Sequence, residues 1–144
     1  MLVAVLNGPN LNLLGRREPE IYGTTPLAEI ERAVRAEGQR LGLEIEWFQS
    51  NHKGALIEAV HRLDGKAAGA LVNAAAWTHT SLALRDAMLA VRIPFVEVHL
   101  SNVFGREPER RHSLLADLAI GVVAGFGMQS YTLALQALAQ RLRG

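Results

Sequence analysis

Short apolar runs alternate along the chain with longer amphipathic segments. The runs at residues 2–6, 43–48, 70–73, 94–99 and 120–124 have the length and composition of buried strands, and the second alternates apolar residues with glutamates as edge strands do. Between the runs, apolar residues recur at helical spacing over residues 55–63, 81–91 and 129–142. A further helix is predicted to begin with Thr25 as its N-cap and Pro26 at its first position, and to end before Gly42.

Strands that alternate with helices predict βαβ units and therefore a parallel sheet. Five strands in 144 residues favour a single α/β domain over residues 1–144. We expect a flavodoxin-like, doubly wound five-stranded sheet of strand order 2-1-3-4-5, enclosed in a three-layer α/β/α arrangement. In such sheets ligands bind beyond the carboxyl ends of the strands, where the strand order reverses. The segments that follow the first, third and fourth strands are therefore the candidate functional regions.

Composition narrows the possible functions. The chain has no cysteine, which excludes disulfides, cysteine-ligated zinc, iron–sulfur clusters and thiol catalysis. Fifteen basic and fourteen acidic residues give a net charge of +1, which argues against nucleic acid as a partner. No apolar run approaches the ~20 residues of a membrane span, and the first residues lack the basic start of a signal peptide. We therefore expect a cytoplasmic protein with no membrane or nucleic-acid partner.

The connection after the first strand, residues 7–23, is long, and loops of this length in compact domains are commonly functional. It contains Arg17 and, five residues later, Tyr22. A tyrosine phenol is neutral at pH 7, and a guanidinium within a few ångströms favours its ionised form. Tyr22 with Arg17, helped by Arg106, is therefore a candidate phenolate base. The alternative, a tyrosine that covers the core beside solvated arginines, stays open on this pair alone.

Glu97 and His99 are two residues apart on the fourth strand, so their side chains leave the same face of the sheet. A carboxylate beside an imidazole sets its tautomer and stabilises its protonated form, as a general acid requires. The alternative is two solvated side chains at a strand end, which a buried strand disfavours. In the neighbouring loops, His79 is a candidate donor to a substrate or an ordinary exposed histidine. The backbone N–H groups of Leu100 and Ser101 are a candidate anion site.

Other catalytic signatures are absent from the sequence. The histidines have no metal-ligand spacing, and there is no Walker motif, no GxGxxG fingerprint and no GxSxG elbow. The three loops offer instead a candidate base, a candidate acid and several hydrogen-bond donors beside arginines. This set suits removal of a proton next to a carbonyl and loss of water from a polyhydroxylated carboxylate, with no metal and no cofactor.

Three blocks of the sequence resemble the type II 3-dehydroquinate dehydratases. Residues 7–23 (NGPNLNLLGRREPEIYG) are similar to the opening signature of that family, and residues 73–81, 85–86 and 97–102 are similar to its later blocks. The likeness covers nearly the whole chain in matching order. It implies a cytoplasmic homododecamer, a tetramer of trimers, in the shikimate pathway of aromatic amino acid biosynthesis. The implied reaction is anti elimination of water from 3-dehydroquinate through an enolate, which gives 3-dehydroshikimate.

The resemblance also implies how the elimination is divided among the side chains. Tyr22 takes the C2 proton as a phenolate, while Arg17 favours that phenolate and stabilises the transition state. Arg106 helps to ionise the same phenol. His99, oriented by Glu97, protonates the departing C1 hydroxyl.

The other residues implied by the resemblance hold water or substrate: Asn10, Asn73, His79, Asp86, Leu100, Ser101 and Arg110. Asn10 holds the water that supports the enolate oxygen. Asn73 and the two backbone amides at 100 and 101 hold the substrate carboxylate. His79 and Arg110 bind ring hydroxyls, and Asp86 reaches into the site of a neighbouring subunit.

The chain departs from the family pattern at residues 74–76, where three alanines replace a run that usually contains glycine. An alanine at position 75 disfavours a positive φ and adds a methyl group near the carboxylate site. Trp77 stands where other apolar residues are usual, and we expect it to cover the pocket.

Two other functions are compatible with the same fold. A receiver needs an acidic cluster after the first strand, where this chain has Asn7 and Asn10, and a flavin site needs a serine- and threonine-rich loop there. An assembly protein that has lost activity would lack the implied base, its arginine or the acid, and all three are present. Lys53 and Lys66 are the only lysines, and both lie outside the candidate loops, which disfavours a Schiff-base mechanism.

Overall fold

The computed structural model describes the whole chain, Met1–Gly144. Its strands are β1 (Leu2–Asn7), β2 (Glu44–Gln49), β3 (Gly69–Asn73), β4 (Phe95–His99) and β5 (Gly121–Ala124). They form one sheet in the order β2-β1-β3-β4-β5, and every neighbouring pair is parallel. The predicted doubly wound sheet and its strand order are confirmed.

The helices are α1 (Pro19–Tyr22), α2 (Leu27–Arg40), α3 (Lys53–His61), α4 (Leu82–Val91) and α5 (Gln129–Leu142). The sequence does not predict α1, because four residues are too few to show a helical period. The N-cap predicted at Thr25 is wrong: Pro26 is the cap, with extended backbone (φ −72°, ψ 158°), and its carbonyl accepts from the N–H groups of Glu29 and Ile30. None of the helices is both long and apolar enough to cross a membrane.

Helices cover both faces of the sheet and bury its three inner strands, β1, β3 and β4. On one face α2 packs against α5, and on the other α3 packs against α4. Large side chains from these helices are buried in two apolar clusters: Ile30, Val34, Tyr131 and Leu135 on the first face, and Leu56, Val60, Leu84 and Met88 on the second. Each such side chain contributes about 1.5–3 kcal/mol through burial. The strand ends between the two clusters are therefore a rigid base for the loops.

A buried hydrogen-bond network joins the carboxyl ends of β1 and β3 to α5. The Tyr131 hydroxyl donates to Asn7 Oδ1 at 2.7 Å and accepts from Asn73 Nδ2 at 2.8 Å. Asn7 Nδ2 in turn donates to the carbonyl of Phe48 on β2 at 3.1 Å. Burial raises the pKa of Tyr131, which keeps its hydroxyl neutral and able to donate. These bonds satisfy polar groups at the point where the strand order reverses, and they set the position of Asn73.

Gly8 lets the loop after β1 lie directly on the loop after β3. A Cβ atom at this position would be 2.4 Å from the carbonyl oxygen of Ala74, so only glycine fits without displacing backbone. The Gly8 N–H also donates to the carbonyl of Asn73 at 2.8 Å. The loop that carries Asn10, Arg17 and Tyr22 and the loop that carries His79 are thus in contact at their start.

Candidate active site

A single cleft opens at the carboxyl ends of the strands, between the loops that follow β1, β3 and β4. Ten of the predicted site residues line it: Asn10, Arg17, Tyr22, Asn73, His79, His99, Leu100, Ser101, Arg106 and Arg110. Its empty space, including the open mouth, is about 470 Å³. The fold thus brings together residues that are up to 100 positions apart in sequence, from Asn10 to Arg110.

Tyr22, the last residue of α1, lies beneath two guanidinium groups. Arg106 Nη1 donates a hydrogen bond to its hydroxyl at 2.8 Å. The guanidinium carbons of Arg17 and Arg106 are 4.8 Å and 5.1 Å from the centre of the Tyr22 ring, within the range of cation–π contacts. Because arginine donates and cannot accept, the proton of the phenol is left free to leave toward the cleft. The sequence suggests Arg17 as the main partner, whereas the direct hydrogen bond comes from Arg106.

His99 and Glu97 form a buried pair at the end of β4. His99 is 5% exposed and Glu97 2%, and His99 Nε2 lies 2.6 Å from Glu97 Oε2. Since an ionised carboxylate only accepts hydrogen bonds, Nε2 carries a proton, and Nδ1 is the ring atom left to exchange a proton with a bound molecule. His99 lines the cleft, and Glu97 lies behind it rather than in the cleft wall.

His79 stacks beside His99, with ring centres 6.3 Å apart and planes inclined by 17°. Its Nδ1 donates to the carbonyl of His112 at 2.7 Å. Partial burial lowers the pKa of His79, an effect that the hydrogen bond to His112 opposes and that the positive charges of His99 and Arg110 reinforce. The neutral ring therefore presents an unprotonated Nε2, which accepts a hydrogen bond. The donor role considered from the sequence does not suit this tautomer.

Residues with unpaired N–H groups line the cleft where β3 and β4 end. The backbone N–H groups of Leu100 and Ser101 have no acceptor within the chain. Asn73 Oδ1 accepts from the N–H of Ala75 at 3.2 Å, and one Nδ2 hydrogen is used on Tyr131. The second Nδ2 hydrogen is therefore available, and with the two amides it provides three donors for an anion.

Ala75 adopts the conformation that an alanine disfavours. Its φ is 52°, in the left-handed region where a Cβ atom crowds the backbone. The residue begins the 3₁₀ turn Ala75–His79 and lines the cleft beside Asn73. Ala75 therefore holds this loop conformation at a cost in backbone strain.

Two residues with predicted roles, Asp86 and Trp77, lie outside the cleft of this chain; the role predicted for Asp86 concerns a neighbouring subunit's site and stays a prediction. Asp86 is exposed on α4 and does not line the cleft. Trp77 does not cover the cleft, and that prediction is wrong, because the 3₁₀ turn Ala75–His79 directs its indole against the apolar cluster beneath α3 and α4.

Residues that the sequence analysis did not select support the site from behind. Asn51 Oδ1 accepts from the N–H of Asn10 at 2.8 Å and from Gln49 Nε2 at 3.2 Å. Gln49 Nε2 also donates to the carbonyl of Gly8 at 3.1 Å. Gln49 ends β2, the strand next to β1, and Asn51 lies two residues later. This adjacency is the signal that would have identified them. Ser113, which bonds to Glu97, has no comparable signal in the sequence.

The chemistry available in the cleft is proton transfer. A phenolate beneath two positive charges is suited to take a proton, and a protonated imidazole backed by a carboxylate is suited to give one. The neighbouring amides and arginines suit a negatively charged, hydroxylated molecule. No group of three or more histidine, aspartate or glutamate side chains has an arrangement that could hold a metal ion. The lysines lie elsewhere, Lys53 at the start of α3 and Lys66 paired with Glu46 at 3.1 Å.

Comparison with known proteins connects this geometry to a family. The family model described as Dehydroquinase class II matches residues 1–139. A 3-dehydroquinate dehydratase of Parasynechococcus marenigrum is 58% identical over 143 residues, which are 99% of this chain and 98% of that protein. One of Gemmatimonas aurantiaca is 53% identical over 142 residues, 99% of this chain and 93% of that protein.

Solved structures give the same result. The crystal structure of a type II dehydroquinase from Propionibacterium acnes has a TM-score of 0.92 and 39% identity, and it covers 96% of each chain. That of a type II dehydroquinase from Butyrivibrio crossotus has a TM-score of 0.93 and 37% identity, over 96% of this chain and 97% of that one. By the extent of the family match, the identity to these relatives and the shared fold, the chain belongs to the class II dehydroquinase family.

Proposed function

We propose that this protein is a 3-dehydroquinate dehydratase, a hydro-lyase that removes water from 3-dehydroquinate without a cofactor. One observation carries the proposal: Tyr22, held by Arg106, and His99, held by Glu97, line the same cleft. A dehydration across two carbons needs one group that removes a proton and another that protonates the departing hydroxyl. The names of the relatives supply the substrate.

The first step is removal of a proton from C2, which lies next to the C3 carbonyl. Tyr22 acts as a phenolate, and its charge is balanced by Arg17 and Arg106, whose guanidinium groups lie over the ring. The electron pair of the C2–H bond moves onto the carbonyl oxygen and forms an enolate. Asn10, whose side chain borders the cleft, holds the water that donates to this oxygen.

The second step is loss of the C1 hydroxyl. The protonated His99 gives its Nδ1 proton to that hydroxyl while the electrons of the enolate form the C1–C2 double bond and the C1–O bond breaks. Water and 3-dehydroshikimate are the products, and a proton passes back through solvent from Tyr22 to His99 to restore the site. We propose anti elimination, with base and acid on opposite faces of the ring.

Substrate binding follows from the unpaired donors. Asn73 Nδ2 and the N–H groups of Leu100 and Ser101 hold the carboxylate. His79 Nε2 accepts from a ring hydroxyl, because its Nδ1 proton is used on His112. Arg110 donates to a second hydroxyl. None of these contacts involves a metal.

We further propose that the active form is a homododecamer built from four trimers, as family resemblance implies. A feature of α4 supports an interface there: Leu82, Asp86 and Leu89 are spaced by four and three residues and so share one face of the helix. Leu82 is 64% exposed and Leu89 46%, and Asp86 between them is exposed as well. Burial of these leucines against a neighbouring copy would place Asp86 in the same interface, from which, as the family resemblance implies, it reaches that copy's cleft. By the same resemblance we propose a cytoplasmic role in the shikimate pathway.

The proposal is tested by giving the purified protein 3-dehydroquinate in the presence of a chelator. The product is an enone, so turnover raises the ultraviolet absorbance, and we expect the rate to be unaffected by the chelator. Treatment with borohydride in the presence of substrate is expected to leave activity intact, since no lysine forms a Schiff base. Failure to turn over 3-dehydroquinate, or covalent trapping of substrate on a lysine, would contradict the proposal.

A further inference from the structure

Ser113 makes a contact with the buried acid pair that the proposed reaction does not use. It lies in the segment that leads from the arginine-rich loop after β4 toward β5, outside every helix and strand. Its hydroxyl donates to Glu97 Oε1 at 2.7 Å, on the carboxylate oxygen opposite the one that faces His99. Glu97 is therefore held from both sides, by a histidine at one oxygen and a serine at the other.

The hydroxyl of Ser113 uses its one donor and both of its acceptor positions in hydrogen bonds. A hydroxyl carries one proton and two lone pairs. The lone pairs of Ser113 accept from the backbone N–H groups of Leu115 and Ala116, both at 3.0 Å. Its only proton must therefore point to Glu97, and it cannot turn to accept a proton from that residue.

This arrangement determines where the proton of the pair resides. A proton on Oε1 would face a hydroxyl that cannot accept it, while donation from Ser113 favours the ionised carboxylate. The proton in the hydrogen bond between His99 Nε2 and Glu97 Oε2 is therefore held on Nε2. The other ring nitrogen of His99, Nδ1, is left to exchange a proton with a bound molecule.

We propose that Ser113 is a positioning residue, which orients Glu97 and keeps it an acceptor at both oxygens so that His99 holds the shared proton. The inference rests on the proposed function only for its kinetic consequence, because the position of the proton can be measured without substrate. The same segment also carries the His112 carbonyl that accepts from His79, so one short stretch orients both histidines of the cleft.

The test compares S113A and S113T with the wild type, and S130A serves as a matched control. The hydroxyl of Ser130 also accepts a backbone N–H, that of Phe126 at 3.0 Å, and it bonds to no ionisable side chain. S113A and S130A should both lower the melting temperature. The proton NMR signal of His99 Nε2–H, measured on the ligand-free enzyme, should be lost or displaced in S113A alone and restored in S113T.

Kinetics provide the second readout. In S113A we expect kcat to fall about tenfold or more, the range for loss of a hydrogen bond to a charged group, with KM changed by less than about twofold. S113T should recover kcat, and S130A should keep it. If S113A does not fold, S113C, which is slightly larger than serine and donates only weakly, should show the same two losses. An unchanged Nε2–H signal and an unchanged kcat in the folded variant would overturn the proposal, and the NMR result stands even if 3-dehydroquinate is not a substrate.

Discussion

At the scale of single residues, the two arginines around Tyr22 make different contacts with it, which the sequence does not distinguish. Both Arg17 and Arg106 lie over the ring, but only Arg106 reaches the hydroxyl. Spacing in the sequence favours Arg17, which is five residues away, whereas Arg106 is 84 positions distant and is brought near only by the fold. Residue types and strand positions predict most of the cleft. The donors and acceptors of individual atoms follow only from the structure.

Replacement of Tyr22 by phenylalanine tests the base. The change removes one hydroxyl whose only protein partner is Arg106, so the fold should be unaffected. We expect kcat to fall by about 10²–10⁴, the usual contribution of a positioned acid or base. Absorbance of the enone gives the rate and circular dichroism checks the fold. A kcat close to that of the wild type would remove Tyr22 from the mechanism.

His79 makes stability depend on pH. Because burial lowers the pKa of His79, the unfolded chain takes up a proton at this residue near pH 6.5 while the folded chain does not. Its contribution is therefore fully present above that pH and declines as the pH falls toward the lower pKa of the folded state. We expect the difference in unfolding free energy between the wild type and His79→Gln to shrink below about pH 6.5. Denaturant titrations from pH 7.5 to 5 measure it, and a difference that grows on acidification would be inconsistent with this account.

At the scale of elements, the apolar pattern predicts every strand of the sheet and four of its five helices, because burial on one or both faces leaves a period in the sequence. The exception is α1, whose four residues have no period and which follows Glu18 at a φ of 37°. The hydrogen-bond network of Tyr131 with Asn7 and Asn73 also cannot be predicted from the sequence, because it joins residues as far as 124 positions apart.

In the loop after β3, the positive φ of Ala75 is expected to lower the stability of the protein. Replacement of Ala75 by glycine removes the strain of a positive φ, so we expect it to raise the free energy of unfolding by roughly 1 kcal/mol. The neighbouring Ala76→Gly is the control, because Ala76 has no positive φ and its replacement should destabilise the protein. Denaturant unfolding measures both. A stability loss of similar size in the two variants would show that Ala75 is not strained.

At the scale of the whole molecule, Asp86 is the predicted site residue whose role depends on a neighbouring copy of the chain. The cleft of one chain contains a candidate base, acid and anion site, whereas Asp86 faces away on α4 with exposed leucines beside it. Nothing in the pattern of a single sequence shows an interface, since an exposed aspartate on an amphipathic helix is ordinary. Only the resemblance to the family assigned a role to it.

Mixing two inactive variants tests whether Asp86 serves a neighbouring site. Asp86→Ala chains keep Tyr22, and Tyr22→Phe chains keep Asp86, so a mixed oligomer contains some sites with both. Refolding the two in equal amounts should restore about a quarter of the wild-type activity, the chance of pairing one intact residue from each chain. Each variant refolded alone is the control. An absence of recovery in oligomers shown to be mixed would place Asp86 outside the neighbouring cleft.

Tyr22 and His99 are proposed to act on opposite faces of 3-dehydroquinate, and the stereochemistry of the elimination shows directly whether they do. The purified protein is given two substrates, each deuterated at one of the two C2 positions, and the product is analysed by mass spectrometry. We expect deuterium anti to the C1 hydroxyl to be lost and deuterium on the same side to be retained. Loss of the label on the same side as the hydroxyl would contradict it.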